Sequence, residues 1–261
     1  MNEIQIKGLN DFNKYKSLLS ELVRKDIKIK YRNSVLGVLW SFLDPLFRMI
    51  VLTVVFSTLF RRVENYPVYY LSGQLIYSLF VGSSTQAMRS MVSSSRIWKS
   101  IYVPKYLYAL SSVLSNFVTY VLSLVVLFAI MLVTHVDFTI YIIFASLPIL
   151  VTLILAFGVG LIIGTLDVFF RDVEHLYSVF TLLLMYALPI FYPAEILPAK
   201  FKFIQTFNPM FYLLNCVRDC FYYGKLYSVQ EILIPTVVAI VFLVVGIALL
   251  KKYQDKFILY V

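Results

Sequence analysis

Residues Tyr141 to Leu166 read YIIFASLPILVTLILAFGVGLIIGTL, a run without a charged side chain that is long enough to cross a bilayer as one helix. Gly158, Gly160 and Gly164 give it a small face where another helix can approach closely. The rest of the chain repeats the pattern. Leu107 to Thr134 is a second strong span, and Ile232 to Leu250 a third, closed by Lys251 and Lys252. Leu36 to Phe60 is apolar but carries Asp44, Pro45 and Arg48. Val68 to Met88 is diluted by Ser72, Gln74, Ser78, Ser83, Ser84, Thr85 and Gln86, so it is expected to face protein or a water-filled path rather than lipid. His175 to Tyr192, ending at Pro189 and Pro193, completes six candidate spans.

Composition agrees with that reading. The 261 residues are 61% hydrophobic and 14% charged, with a mean hydropathy of +0.84, whereas soluble domains average about 45–50% apolar and about 25% charged. The expected fold is an all-α polytopic membrane protein, one transmembrane domain over 1–261. A soluble enzyme, a disordered chain and a disulfide-stapled module are excluded. Cys216 and Cys220, four apart on a helix, read as packing residues.

The net charge of +9 would suggest nucleic acid in a soluble protein. Here its distribution is informative, because basic residues near span ends are retained on the cytoplasmic side. On one side of a six-span arrangement fall Lys7, Lys14, Lys16, Arg24, Lys25, Lys28, Lys30, Arg32, Arg89, Arg96, Lys99, Lys105, Arg171, Lys251, Lys252 and Lys256. The other side holds Arg61, Arg62, Lys200, Lys202, Arg218 and Lys225. Both termini are therefore expected in the cytoplasm, and Met1 to Asn10 shows no cleavable signal peptide. Nucleic acid is not an expected partner.

Two segments flank the spans. Asp11 to Arg32 places Phe12, Tyr15, Leu19, Leu22, Val23 and Ile27 on one stripe with lysines and arginines elsewhere, the pattern of a helix lying in the membrane interface; a helix packed against a protein partner has the same signature. Pro193 to Ser228 is too apolar for a simple outer loop, yet Pro198, Asn208 and Pro209 break any full crossing. Two short re-entrant or interfacial helices are expected there, Ala199 to Phe207 and Phe211 to Tyr223.

The chain carries no phosphate-binding loop of the Gly-x-x-x-x-Gly-Lys-Ser/Thr type, no His-Glu-x-x-His, no Cys-x-x-Cys and no Gly-x-Ser-x-Gly. His135 and His175 read as interfacial residues. Asp167, Asp172 and Glu174 beside Arg171 read as a salt-bridged loop rather than an acid/base pair. What the chain has in excess is rings, with 20 Tyr and 22 Phe. Tyr66, Tyr69, Tyr70, Tyr77 and Phe80 sit on or beside the most polar span, and Phe191 and Tyr192 at the following break. Such faces stack on sugars and suit a carbohydrate path, while a lipid belt and ordinary packing account for most of the individual rings. Ser93 to Lys105 mixes Ile97, Trp98, Ile101 and Tyr102 with cations and ends at Val103-Pro104; it suits a short helix in a partner's groove or an interfacial anchor.

The runs ELVRKD (21–26) and KYRNSVLGVLWSFLDP (30–45) resemble the membrane subunit of polysaccharide ABC exporters, of the O-antigen and teichoic acid type. Looser similarity extends to Ile97–Lys105, to FRDVEH (170–175), and to LPIFYP (188–193) with Asn208-Pro209 and Arg218. Asp44 departs from the family, which more often has Asn before this proline; its charge is expected to pair with Arg48 one turn on.

The resemblance implies two copies of this chain with two separate ABC ATPase subunits in a bacterial-type cytoplasmic (inner) membrane. ATP and Mg²⁺ belong to those partners, and this chain needs no cofactor or metal. Arg96, Ile97, Trp98, Lys99, Ile101 and Tyr102, in the 93–105 segment, match the coupling helix that seats in the ATPase. The implied substrate is an undecaprenyl-diphosphate-linked glycan such as O-antigen, its lipid staying in the bilayer. Arg24, Lys25, Lys28, Lys30 and Arg32 would attract the diphosphate and the rings named above would guide the sugar. A permease for a drug or small lipid, and an integral-membrane transferase acting on the same carrier, are the competing readings.

Overall fold

The computed structural model describes residues 2–58, 63–95, 103–196, 200 and 202–260, with the backbone alone for 2–14, 202 and 204. Among them all regular structure is helical: α1 (Asn2–Tyr31), α2 (Trp40–Phe56), α3 (Tyr66–Ser93), α4 (Tyr106–Val133), α5 (Ser146–Phe169), α6 (Asp172–Ala187), α7 (Lys202–Thr206), α8 (Pro209–Phe221) and α9 (Val229–Tyr253). Short 3-10 turns precede α2 (Gly37–Leu39) and α5 (Ile140–Ala145) and follow α9 (Gln254–Leu259).

Among the described residues, four helical stretches are long and apolar enough to cross a membrane: Gly37–Phe56, Tyr106–Val133, Ile140–Phe169 and Val229–Leu259. The other two expected spans differ for opposite reasons. α3 has length to spare with 28 residues, but its serines and glutamines lower its apolarity. α6 has 16 residues, about 24 Å at 1.5 Å per residue, because Pro189 stops it.

α3 is the hub of the bundle, packed on α4 and α5, while α5 also packs on α9. Its polar composition is compatible with that position because the hydroxyls bond the helix's own carbonyls, Ser72 to Tyr69, Ser84 to Phe80 and Ser90 to Ala87. The small face of α5 works on two sides. A Cβ on Gly160 would stand 2.6 Å from Ala87 Cβ on α3, and one on Gly158 only 2.5 Å from the backbone nitrogen of Leu243 on α9. These contacts require glycine, and they let three backbones approach as small residues do in membranes.

Both flanking segments are helical, with ends shifted from those expected. The two helices after α6 are α7 and α8, and Asn208 caps α8 by accepting from Met210 N at 3.0 Å, with Pro209 in the first turn. α9 opens on a capping box of Ser228 and Glu231. The apolar stripe of α1 is partly covered by the chain itself, since Leu22 packs in a cluster with Ala109, Val113, Leu161, Leu250 and Phe257.

Candidate functional site

Three polar regions interrupt this apolar bundle. The first lies where α3 meets the break after α6. Leu188–Tyr192 leaves helical geometry and would strand its carbonyls, and side chains from α3 and α8 collect them. Tyr66 donates to Phe191 O at 2.8 Å, Tyr69 to Tyr192 O at 2.9 Å and Pro189 O at 3.4 Å, and Arg218 of α8 to Ile190 O at 2.9 Å. The Arg218 guanidinium lies 3.7 Å from the centre of the Tyr69 ring, a cation–π stack away from water. Gly73 makes room for it, since a Cβ there would stand 2.8 Å from Arg218 Nη2. Tyr222 adds a bond to Glu64 O, tying α8 to the turn before α3.

Arg218, grouped from the sequence with the outer-side cations, lies inside the packed chain. It is 3% exposed, because its neighbours on α8, Cys216, Val217, Cys220 and Phe221, are buried and carry it inward. Both cysteines are free and buried, as packing residues. The sequence carries no cue for this, since Arg218 stands beside Asp219 on a helix that also holds Asn215.

The candidate sugar-binding rings are also placed by this packing. Tyr66, Tyr69, Tyr70, Tyr77 and Phe80 are buried within the subunit, and Phe191 and Tyr192 are half-buried. Tyr77 donates to Thr181 O on α6 at 2.6 Å, and Ser84 shares a 2.6 Å hydrogen bond with Tyr177. The α3 ring face is therefore shut against α6 and the 188–192 break in this conformation.

The second region is the basic side of α1. Arg24 pairs with Glu21 at 3.3 Å and Lys25 with Asp26 at 3.8 Å. Lys28, Lys30 and Arg32 have no carboxylate partner among the described residues, and all three are exposed. Burial pushes the Asp26 carboxyl above the usual range, opposed by a hydrogen bond from Ser111 and by Lys25.

The third region joins helix ends near α1. Arg89 on α3 reaches Glu174 on α6 at 2.7 Å, and Arg171 reaches Asp167 at 3.7 Å, the salt-bridged loop expected of this cluster. Lys105 donates to Gln254 O and lies over the Phe257 ring, fixing the start of α4 to the C-terminal turn. Burial lowers its ammonium from the ordinary lysine range, and Asp255 opposes that shift. Arg96, Ile97, Trp98, Lys99, Ile101 and Tyr102, expected to couple to an ATPase, lie outside the described residues. The expected Asp44–Arg48 pair is formed at 2.9 Å. No cluster of His, Cys, Asp and Glu suited to a metal occurs among the described residues.

A family model for ABC-2 type transporters matches residues 17–222, from the basic part of α1 through α8. The chain belongs to the ABC-2 type transporter family. It is an integral membrane protein of bacterial type, similar to permease subunits. An O-antigen export system permease protein RfbA of Klebsiella pneumoniae is 29% identical over 243 residues, covering 92% of this chain and 93% of its own length. A protein of the same name from Myxococcus xanthus is 25% identical over 256 residues, 97% of this chain and 98% of that one. The polysialic acid transport protein KpsM of Escherichia coli is 20% identical over 251 residues, 94% and 96% of the two chains. The match takes in the Arg218 knot and the unpaired cations of α1 alike.

Proposed function

We propose that this ABC-2 permease exports a lipid-linked polysaccharide across the cytoplasmic membrane of a bacterium, driven by ATP. The observation that carries the reading is similarity over more than nine-tenths of both chains to permeases named for O-antigen export. In this reading two copies of the chain pair with two separate ATPase subunits that bind ATP and Mg²⁺. α3 and α6 join the four apolar spans to make six crossings, with both termini in the cytoplasm as the basic residues require. The whole chain acts as one transmembrane domain.

The anionic diphosphate of an undecaprenyl carrier meets the basic side of α1. Lys28, Lys30 and Arg32 supply most of the attraction, because Arg24 and Lys25 already share their charge with carboxylates. Each free cation near the surface contributes about 1 kcal/mol. The glycan follows the ring face of α3, with Phe191 and Tyr192 at its end. That face opens when α6 and the 188–192 break move off α3, breaking the Tyr77–Thr181 and Ser84–Tyr177 bonds. Movement reaches them from the ATPase through the 93–105 segment and the Arg89–Glu174 pair.

Export of the glycan to the cell surface, followed in a strain that depends on this chain, tests the reading. The triple variant Lys28→Gln, Lys30→Gln, Arg32→Gln is expected to lose export while still inserting, and the double Arg24→Gln, Lys25→Gln to retain most of it. Equal export from both removes the diphosphate role. Trp98→Asp with Ile101→Asp is expected to separate the permease from its ATPase; intact co-purification removes the docking role. Stimulation of the complex's ATPase by a teichoic acid precursor, a drug or a small lipid, and not by lipid-linked glycan, would move the substrate assignment within the family. Transferase activity without an ATPase partner would replace it.

A further inference from the structure

The end of α1, α2, α3 and α4 wall a cleft of about 410 Å³, within the roughly 300–1,000 Å³ of small-molecule sites. The export reading gives it no role. Lys30 and Arg48 both reach it, against Asp44 as the one carboxylate among the described residues of its lining. Arg48 spends its Nε on Asp44, leaving its terminal nitrogens, and Lys30 contacts Thr119 Oγ1 at 3.3 Å. Tyr120 lines the same cleft, is 4% exposed, and its hydroxyl has no hydrogen-bond partner among the described residues. Neighbouring Thr119 and Ser123 satisfy theirs on carbonyls of their own helix. A buried hydroxyl is costly to leave unpaired, so the cleft holds a donor without an acceptor beside an excess of positive charge.

The surroundings identify the kind of acceptor. Thr119 and Tyr120 lie about 20 Å along α4 from Tyr106 at 1.5 Å per residue, inside a candidate span. The helices that carry these donors expose Phe47, Val51 and Val54 on α2 and Val118, Val121 and Val125 on α4. A ligand here has an anionic, acceptor-rich head and an apolar body that lies along the exposed apolar faces of α2 and α4. We propose that this cleft seats the phosphate of an anionic membrane lipid, with Lys30 and Arg48 as its cations and the Tyr120 hydroxyl as its neutral donor. Lys30 and Arg48 against Asp44 leave one net positive charge, which matches the single negative charge of a phospholipid's phosphodiester rather than the larger charge of an isoprenoid diphosphate. The site stands apart from the export reading, and because Lys30 figures in both, the test uses Arg48 and Tyr120.

Native mass spectrometry of the purified full-length chain decides it, with dioleoylphosphatidylglycerol, undecaprenyl diphosphate, dioleoylphosphatidylcholine and inorganic phosphate as probes. The wild type is expected to retain the glycerol lipid about fivefold over the choline lipid and over undecaprenyl diphosphate; preferential retention of the diphosphate would make the cleft part of the export path and overturn the proposal. Tyr120→Phe removes one hydrogen bond without changing shape and is expected to lower retention about fivefold, the equivalent of about 1 kcal/mol. Arg48→Gln is expected to lower it at least as far. Equal retention of the anionic and choline lipids, or wild-type retention by Tyr120→Phe, overturns the proposal. So does displacement of the bound lipid by millimolar inorganic phosphate, which would make the ligand free phosphate rather than a lipid.

Discussion

The Arg218 knot and the Lys30–Arg48 cleft are both cationic sites inside an apolar bundle, and they treat their charges in opposite ways. In the knot the cation is enclosed, stacked on Tyr69 and bonded to Ile190 O, and the tyrosines around it serve the carbonyls of the 188–192 break. In the cleft the cations stay accessible and Tyr120 is left without a partner. A bundle can afford a buried charge where irregular backbone supplies acceptors, and it keeps donors open where a ligand is to supply them. The first arrangement stabilises the fold, and the second stores binding capacity.

That contrast is broken most severely by Arg218→Ala. The substitution removes the stack and the bond to Ile190 O and leaves a cavity, so a loss of about 3 kcal/mol is expected, read as a lower thermal midpoint of the detergent-solubilised protein. Arg218→Lys should recover only part of it, because a compact ammonium cannot reproduce the planar fork on the ring. A wild-type midpoint for Arg218→Ala would mean the knot carries no stability. Gly73→Ala comes next, at about 1–3 kcal/mol. Its new methyl would meet the Arg218 guanidinium at 2.8 Å and push the side chain off Tyr69. The same alanine in the Arg218→Ala background should cost much less, a double-mutant cycle that isolates the contact.

Much of this architecture was legible in the sequence, and the limits have physical causes. The glycines of α5 were readable as a close-packing face because a missing side chain has one steric meaning, and they are where α3 and α9 touch it. The serines of α3 were readable as an inward helix because lipid offers them nothing. Arg218 was not readable as buried: charge and loop position place it outside, and only the tertiary meeting of α3, α8 and the break provides the acceptors and the ring. The tyrosines of α3 show the same limit, since a ring that stacks on a sugar and one that packs on a neighbouring helix have the same residue name. Basic α1 was legible as a set of cations, but which of them are spent on Glu21 and Asp26 required coordinates.

The smallest expected effects come from one substitution made in both places, and they differ in sign. Tyr69→Phe keeps the ring under Arg218 but strands the carbonyls of Pro189 and Tyr192, so it should destabilise the protein by about 1 kcal/mol. Tyr120→Phe deletes a hydroxyl that bonds nothing in the ligand-free chain, so in delipidated detergent the thermal midpoint should stay or rise by the equivalent of up to about 1 kcal/mol. Adding phosphatidylglycerol should then raise the wild-type midpoint more than that of Tyr120→Phe, because stabilisation by a ligand grows with the logarithm of its affinity for the folded state. If Tyr120→Phe instead lowers the midpoint of the delipidated protein as Tyr69→Phe does, its hydroxyl is structural, and the distinction between a closed knot and an open cleft is lost at that residue.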